Sequence, residues 1–212
     1  MRDLRGTGIA GALADLVATG EPVLAVTAHA PHRARALAAI GGGFAVTSWA
    51  ALEDDPDLAA PFTHVVAVDP PARPLVDHPS GEGWTHLAWG APELDFALHI
   101  HQWDFALRDP LTAVYRALRA ARAARGEGCE TMLRGEGPQP RSAALAGRLV
   151  RVLTELGLVA LDREGPALEV AESPQRTSLE RSAAYKAYQQ RFEDGRQYLT
   201  SSTPRRVTHA AA

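Results

Sequence analysis

With 212 residues and 46% hydrophobic content, the chain is long enough to bury a sizeable core, as one large domain or two small ones. It has no signal-peptide pattern and no apolar run of the ~18 residues that a spanning helix needs, so a cytoplasmic protein with no membrane role is expected. Lone Cys129 has no partner for an internal disulfide or a thiolate metal site, and the net charge of −3 is uneven: residues 1–100 hold 5 basic and 12 acidic side chains, residues 101–212 hold 17 and 13.

After a polar, glycine-bearing start, Ile9, Leu13, Leu16 and Val17 mark a short amphipathic helix that ends at Gly20. Pro22 to Thr27 reads as an apolar strand. Pro31 opens a helix carrying Leu37 and Ile40, which Gly41-Gly42-Gly43 stops. A strand at Phe44 to Thr47, a helix from about Ala50 to Leu58, a strand at Thr63 to Val68 and a last strand at Thr85 to Trp89 complete the series. Short apolar strands alternating with helices predict a small parallel, Rossmann-like sheet in an α/β domain over residues 1–90.

From Pro92 the pattern becomes helical. Glu93 to Phe105 predicts one helix and Asp109-Pro110 opens another, with Leu111, Val114, Tyr115 and Leu118 inward and Arg116, Arg119 and Arg122 outward. A short helix holds Cys129 and Met132, and a proline-rich joint follows at Gly135 to Pro140. Ser142 then caps a helix with Leu145, Leu149, Val152 and Leu153 on one face and Gly157 at its end. Leu158 to Leu161 and Ala167 to Val170 form a hairpin around Asp162 to Pro166. Helix followed by hairpin, with short helices upstream, predicts a winged-helix-like half over residues 91–199, closed by a helix capped at Ser178. Residues 200–212 read as a disordered tail.

Gly6-Thr7-Gly8 and Gly41-Gly42-Gly43 match neither phosphate-binding glycine pattern, and no nucleophile or paired-carboxylate arrangement stands out. His29 with His32, and His99 with His101, lack a carboxylate partner at metal-ligand spacing. The strand ends near Thr27, Ser48 and Asp69 are where a small α/β nucleotide- or ligand-binding protein would take its ligand. Arginines make the other candidate surface: Arg116, Arg119, Arg122, Arg141, Arg148, Arg151 and Arg163 would bind phosphates without reading sequence if they converge. A solvated face laced by Glu155, Asp162 and Glu164, or a protein-docking surface, is the competing reading. A winged-helix transcription regulator would want a more basic recognition helix.

The strings GIAGALADLV (8–17), HVVAVDPP (64–71), WDFALRDPLTAVYRALR (103–119), PRSAALAGRLVRVLTELGLV (140–159) and SLERSAAYKAY (178–188) resemble the extreme C-terminal region of actinobacterial RecJ, a single-strand-specific DNA exonuclease. The likeness spans about Arg5 to Leu199. In that family a core built on Asp and His ligands, including a D-H-H motif, degrades single-stranded DNA from the 5′ end with Mn²⁺ or Mg²⁺. This chain has no D-H-H, and Gly41-Gly42-Gly43 is followed by Phe44 rather than histidine. The resemblance therefore implies an inactive accessory region that needs no cofactor of its own. Its implied partners are single-stranded DNA, a RecJ-like nuclease core or another repair protein. The front layer also resembles a helicase-type domain stripped of its ATPase motifs.

Overall fold

A computed structural model describes residues 1–74, 83–136, 140–162, 167–171 and 177–201. They fall into two compact units, residues 1–101 with 194 onward, and residues 102–193. Among the described residues, no helix is long and apolar enough to cross a membrane.

The first unit holds, in chain order, β1 (Arg2–Asp3), α1 (Ile9–Val17), β2 (Val23–Thr27), α2 (Ala30–Ala38), β3 (Phe44–Ser48), α3 (Trp49–Asp54), β4 (His64–Ala67) and β5 (Trp84–Leu87). All five strands are parallel, in the order β1-β5-β4-β2-β3. The α/β class and parallel sheet expected from the sequence are present. Every residue of β2 is buried, because helices cover both faces and each face needs its own apolar set. Val23 and Ala25 pack with Leu13, Leu16 and Leu37 of α1 and α2. Leu24 and Val26, one residue out of phase, pack with Leu52 of α3 and with Ala59.

Some element bounds differ from the expectation. The polar start contributes β1, whose Arg2 and Asp3 pair with His86 and Leu87 although both are exposed. The helix expected from Ala50 to Leu58 breaks after Asp54 and resumes as a 3-10 turn at Pro56–Ala59, since Pro56 supplies no N–H to continue the ladder. The last strand lies one position earlier than Thr85, at Trp84, and stops at Leu87. Beyond it Ala88 N–H still donates to Ala67 O at 3.0 Å.

The second unit is built on α5 (Arg108–Ala121), β6 (Ala123–Arg125), α6 (Gly126–Arg134), α7 (Ala143–Glu155), β7 (Val159–Asp162) and β8 (Ala167–Val170). The helix before it is α4 (Ala91–Phe105), and α8 (Ala183–Ser201) follows. The three strands form an antiparallel sheet in the order β6-β8-β7. Leu111, Val114 and Leu118 of α5 meet Leu145, Leu149, Val152 and Leu153 of α7 in one core, which also takes Leu168 and Tyr185. Ser142 caps α7 by accepting Leu145 N–H at 3.0 Å, and Gly157, at φ 65°, ends it in the left-handed region that glycine tolerates. Strand β6 had no counterpart in the sequence reading.

Ser178 does not cap the final helix. A 3-10 turn at Leu179–Arg181 intervenes, and Ser182 Oγ accepts Tyr185 N–H at 3.0 Å. At the other end Thr200 and Ser201 are helical rather than tail, consistent with Leu199 being fully buried against Leu94 and Ala97. Residues 202–212 and most of the expected hairpin turn lie outside the described residues.

One buried group makes the first unit sensitive to acid. His86 is 1% exposed and stands beside His64, with ring nitrogens 3.1 Å apart. Burial first, then His64, Arg2 and the N-terminal amine, lower its pKa from 6.5 to about 4. The unfolded chain therefore binds the proton more readily than the native one, so stability present above pH 6.5 is lost as pH falls towards 4. Replacing His86 with Leu removes this loss. Urea titrations at about pH 7 and pH 4 are expected to show wild type losing about 3 kcal/mol more than His86→Leu over that interval.

Candidate nucleic-acid interface

The side chains on one face of α5 follow from helical spacing. Arg108, Leu111, Thr112, Tyr115, Arg116 and Arg119 recur at intervals of three and four, which stacks them on a single stripe. The buried edge of that stripe holds Leu111 in the core, and its outer edge carries the arginines. Opposite stand Leu153 at the end of α7, Leu158, and the segment Thr177–Glu180, enclosing a groove of about 720 Å³. Apolar atoms form its floor and guanidinium groups its rim.

The rim charge is only partly spent. Arg108 pairs with Glu180 at 3.1 Å, with side chains 66% and 59% exposed, a pair of the kind worth about 0–1 kcal/mol in water. Arg116 and Arg119 are exposed and have no hydrogen-bond or ion-pair partner among the described residues. Such a rim would trade its solvent for phosphate oxygens at small cost.

The other arginines singled out in the sequence are placed differently. Arg148 turns inward: Nη1 donates to Asp104 O at 2.9 Å, stands 3.8 Å from the Asp104 carboxylate, and the guanidinium lies 4.2 Å from the Phe105 ring centroid. Arg141 donates from Nη1 to Leu133 O at 2.8 Å and to Met132 O at 3.4 Å, holding the C-terminal carbonyls of α6. Arg151 is exposed but paired with Glu155 at 3.3 Å. The other oxygen of Glu155 accepts Ser182 Oγ–H at 2.7 Å and Ala184 N–H at 2.9 Å, so that carboxylate anchors the start of α8; these bonds hold its pKa below the ordinary value. Arg122 is exposed at φ 66°, past the end of α5 rather than on it, and its carbonyl accepts Val170 N–H at 3.0 Å. Arg163 lies outside the described residues.

Thus the structure joins Arg116 and Arg119 with Arg108, which the sequence reading passed over. The signal was available: Arg108 is eight residues before Arg116, on the same face. By contrast α7 offers little to a ligand. Its exposed positions are Ala143, Ala144, Gly147, Arg151, Thr154 and Glu155.

In the first unit Thr27, Ser48 and Asp69 do stand at the carboxyl ends of β2, β3 and β4, with Thr27 directly opposite Ser48. Their polar atoms serve the fold. Thr27 Oγ1 donates to Thr47 O at 3.2 Å, and Ser48 Oγ accepts Ala51 N–H at 3.2 Å as the cap of α3. Asp69 has a fully buried carboxylate. It accepts Ala28 N–H at 3.0 Å and Arg33 Nη2–H at 2.5 Å, with Arg33 Nε 3.1 and 3.2 Å from the two oxygens. Because the connection through α2 runs one way along the sheet and that through α3 runs back, β2 and β4 flank the point where such sheets open a ligand crevice. Here the chain's own carboxylate fills it.

Of the histidines, His29 Nδ1 accepts His32 N–H at 3.3 Å as the cap of α2, and His101 is buried. Among the described residues no three His, Cys, Asp or Glu side chains come close enough to hold a metal ion. Burial pushes the Cys129 thiol up.

Burial also raises the Asp69 pKa from 3.8, more than the bonds from Arg33 and Ala28 lower it. A carboxyl raised in the folded state contributes most stability below its unfolded value and loses it as pH rises through the folded value. Removing Arg33 strands the charge at neutral pH and raises the folded pKa further. Arg33→Met is therefore expected to cost about 3–5 kcal/mol at neutral pH. The deficit relative to wild type should shrink as pH falls from neutral through the raised folded range of Asp69, which lies above the ordinary 3.8, as the native carboxyl takes up its proton. Denaturant titrations of both proteins across that range measure it; a deficit independent of pH would contradict the buried-charge account.

No protein-family model, curated protein or solved structure matches the chain.

Proposed function

We propose that the chain is a non-catalytic accessory module of a RecJ-like exonuclease, holding single-stranded DNA through the arginine-rimmed groove beside α5. The carrying observation is that Arg116 and Arg119 stand exposed on the rim with no partner among the described residues, whereas Arg141, Arg148 and Arg151 are committed to their own chain. The order α5-β6-α6-α7-β7-β8, with β8 central in its sheet, supports reading this half as winged-helix-like. In that reading α7 takes the place of the recognition helix. Its small, scarcely basic exposed face argues against a transcription regulator that reads bases in a major groove.

The alternative of a ligand-binding α/β protein is weakened by the Asp69–Arg33 pair in the sheet's crevice. The RecJ reading rests on the resemblance of the strings quoted above, and the Mn²⁺ or Mg²⁺ of that enzyme belongs to a core whose D-H-H ligands have no match in this sequence. Incubating the chain with labelled single-stranded DNA and either metal should accordingly leave the strand intact. Metal-dependent trimming abolished by a substitution within this chain would contradict the non-catalytic reading.

Binding of this kind should be weak, nearly blind to sequence and steeply weakened by salt. Fluorescence anisotropy across a salt series tests it. The Arg116→Ala, Arg119→Ala double variant should make the slope of log affinity against log salt shallower by about 1.4, at ~0.7 per phosphate contact on a single strand. Arg35→Ala, an exposed arginine of the acidic unit, should change it far less. No binding at low salt, or an unchanged slope in a folded double variant, would contradict the proposal.

A further inference from the structure

We infer that the groove beside α5 admits nucleobases, with Tyr115 as the stacking platform and Arg116 and Arg119 taking the flanking phosphates, which makes the site selective for single strands. This rests on the nucleic-acid reading above and adds which part of the ligand enters. A surface that only tracks a phosphate backbone needs exposed cations. This groove has in addition an interior of about 720 Å³ whose floor includes Leu111, Leu153 and Leu158. That volume lies within the ~300–1,000 Å³ of sites that enclose small organic groups.

Apolar floor and charged rim divide the work as a nucleotide is itself divided, between a flat, weakly hydrated base and a hydrated anion. Tyr115 is half-buried, its ring packed against the core on one side and bordering the groove, and Arg116 follows it in sequence while Arg119 lies one turn on. A duplex keeps its bases stacked inside and offers such a surface only sugar and phosphate. A single strand can turn a base onto an aromatic ring. Among the described residues the lining holds no Asn, Gln or His, its Thr112 hydroxyl already donates to Arg108 O at 2.9 Å, and Glu180 is engaged by Arg108. Base-edge readout is correspondingly poor, and the stacking should tolerate any base. Charge complementarity selects this occupant over an apolar peptide, since burying such a peptide would leave the two unpaired guanidinium groups desolvated.

Anisotropy of the full chain at low salt, with three labelled probes of matched length, tests the inference: an oligo-dT strand, the same strand built of abasic sugar-phosphate units, and a duplex. Oligo-dT is expected to bind roughly 10-fold or more tightly than the abasic strand. It should also outcompete the duplex despite the duplex's denser charge. Tyr115→Ala should bring oligo-dT down to the abasic level without altering the salt slope, and Tyr115→Phe should keep the preference. Equal affinity of wild type for oligo-dT and the abasic strand, with binding still weakened by Arg116→Ala, Arg119→Ala, would overturn base entry and leave the DNA reading standing. Absence of binding to all three probes would overturn both. Because the decisive contrast uses wild type, it does not depend on Tyr115→Ala folding.

Discussion

The buried pair of Asp69 and Arg33 sets the terms for the first unit. A carboxylate with no solvent exposure is tolerable only where donors replace the water it has lost, and Ala28 N–H and the Arg33 guanidinium do so. Arg33 is itself steadied by Phe96, whose ring centroid lies 4.1 Å from the guanidinium. The bonds tie the loop after β4 to the loop after β2 and to α2, across the place where a doubly wound sheet otherwise opens. The pair occupies the crevice with the chain's own side chains, and each partner needs the other because a lone buried charge would be costly.

The same rule, that an arginine paired within its own chain has little left for a ligand, sorts the second unit. Arg148 spends its charge on Asp104 and its flat face on Phe105, Arg141 holds the end of α6, and Arg151 sits on the carboxylate that anchors α8. Removing Arg148 or Arg141 would be felt first as lost packing and lost backbone bonds and only then as lost charge. Among the described residues Arg116 and Arg119 on the rim of α5 are left without such a partner, as is exposed Arg122 just past its end, and only the rim pair borders the groove. A surplus of basic residues over acidic in the back half is therefore a poor guide by itself; the partners of each arginine decide where the surplus is available.

Strands and helices with strong periodicity were legible in the sequence. β2 and β4 appear as continuous apolar runs because both faces are covered, and α7 appears through its leucine stripe and its Ser142 and Gly157 ends. β1 and β6 were not legible: two and three residues long, they carry no alternation, and their partners Trp84–Leu87 and Ala167–Val170 lie far along the chain. Arg33 and Asp69 are 36 residues apart, so each could be seen but not the bond between them. The groove was half legible, since spacing along α5 places its arginines on one face, whereas the opposing wall from Leu158 and Thr177–Glu180 exists only after folding.

Acid acts on the first unit with opposite signs at two buried groups. His86 resists protonation in the native state and Asp69 favours it, so their effects oppose one another below neutral pH. Whether the α5 groove rather than the α7 face meets DNA can be read from backbone amide shifts of the labelled chain titrated with a short oligo-dT. Perturbations are expected to cluster at residues 108–120 and 177–180, with little change at the exposed positions of α7 and at the carboxyl ends of β2, β3 and β4. Perturbations centred on Ala144, Gly147 and Arg151, or on Thr27, Ser48 and Asp69, would contradict that placement.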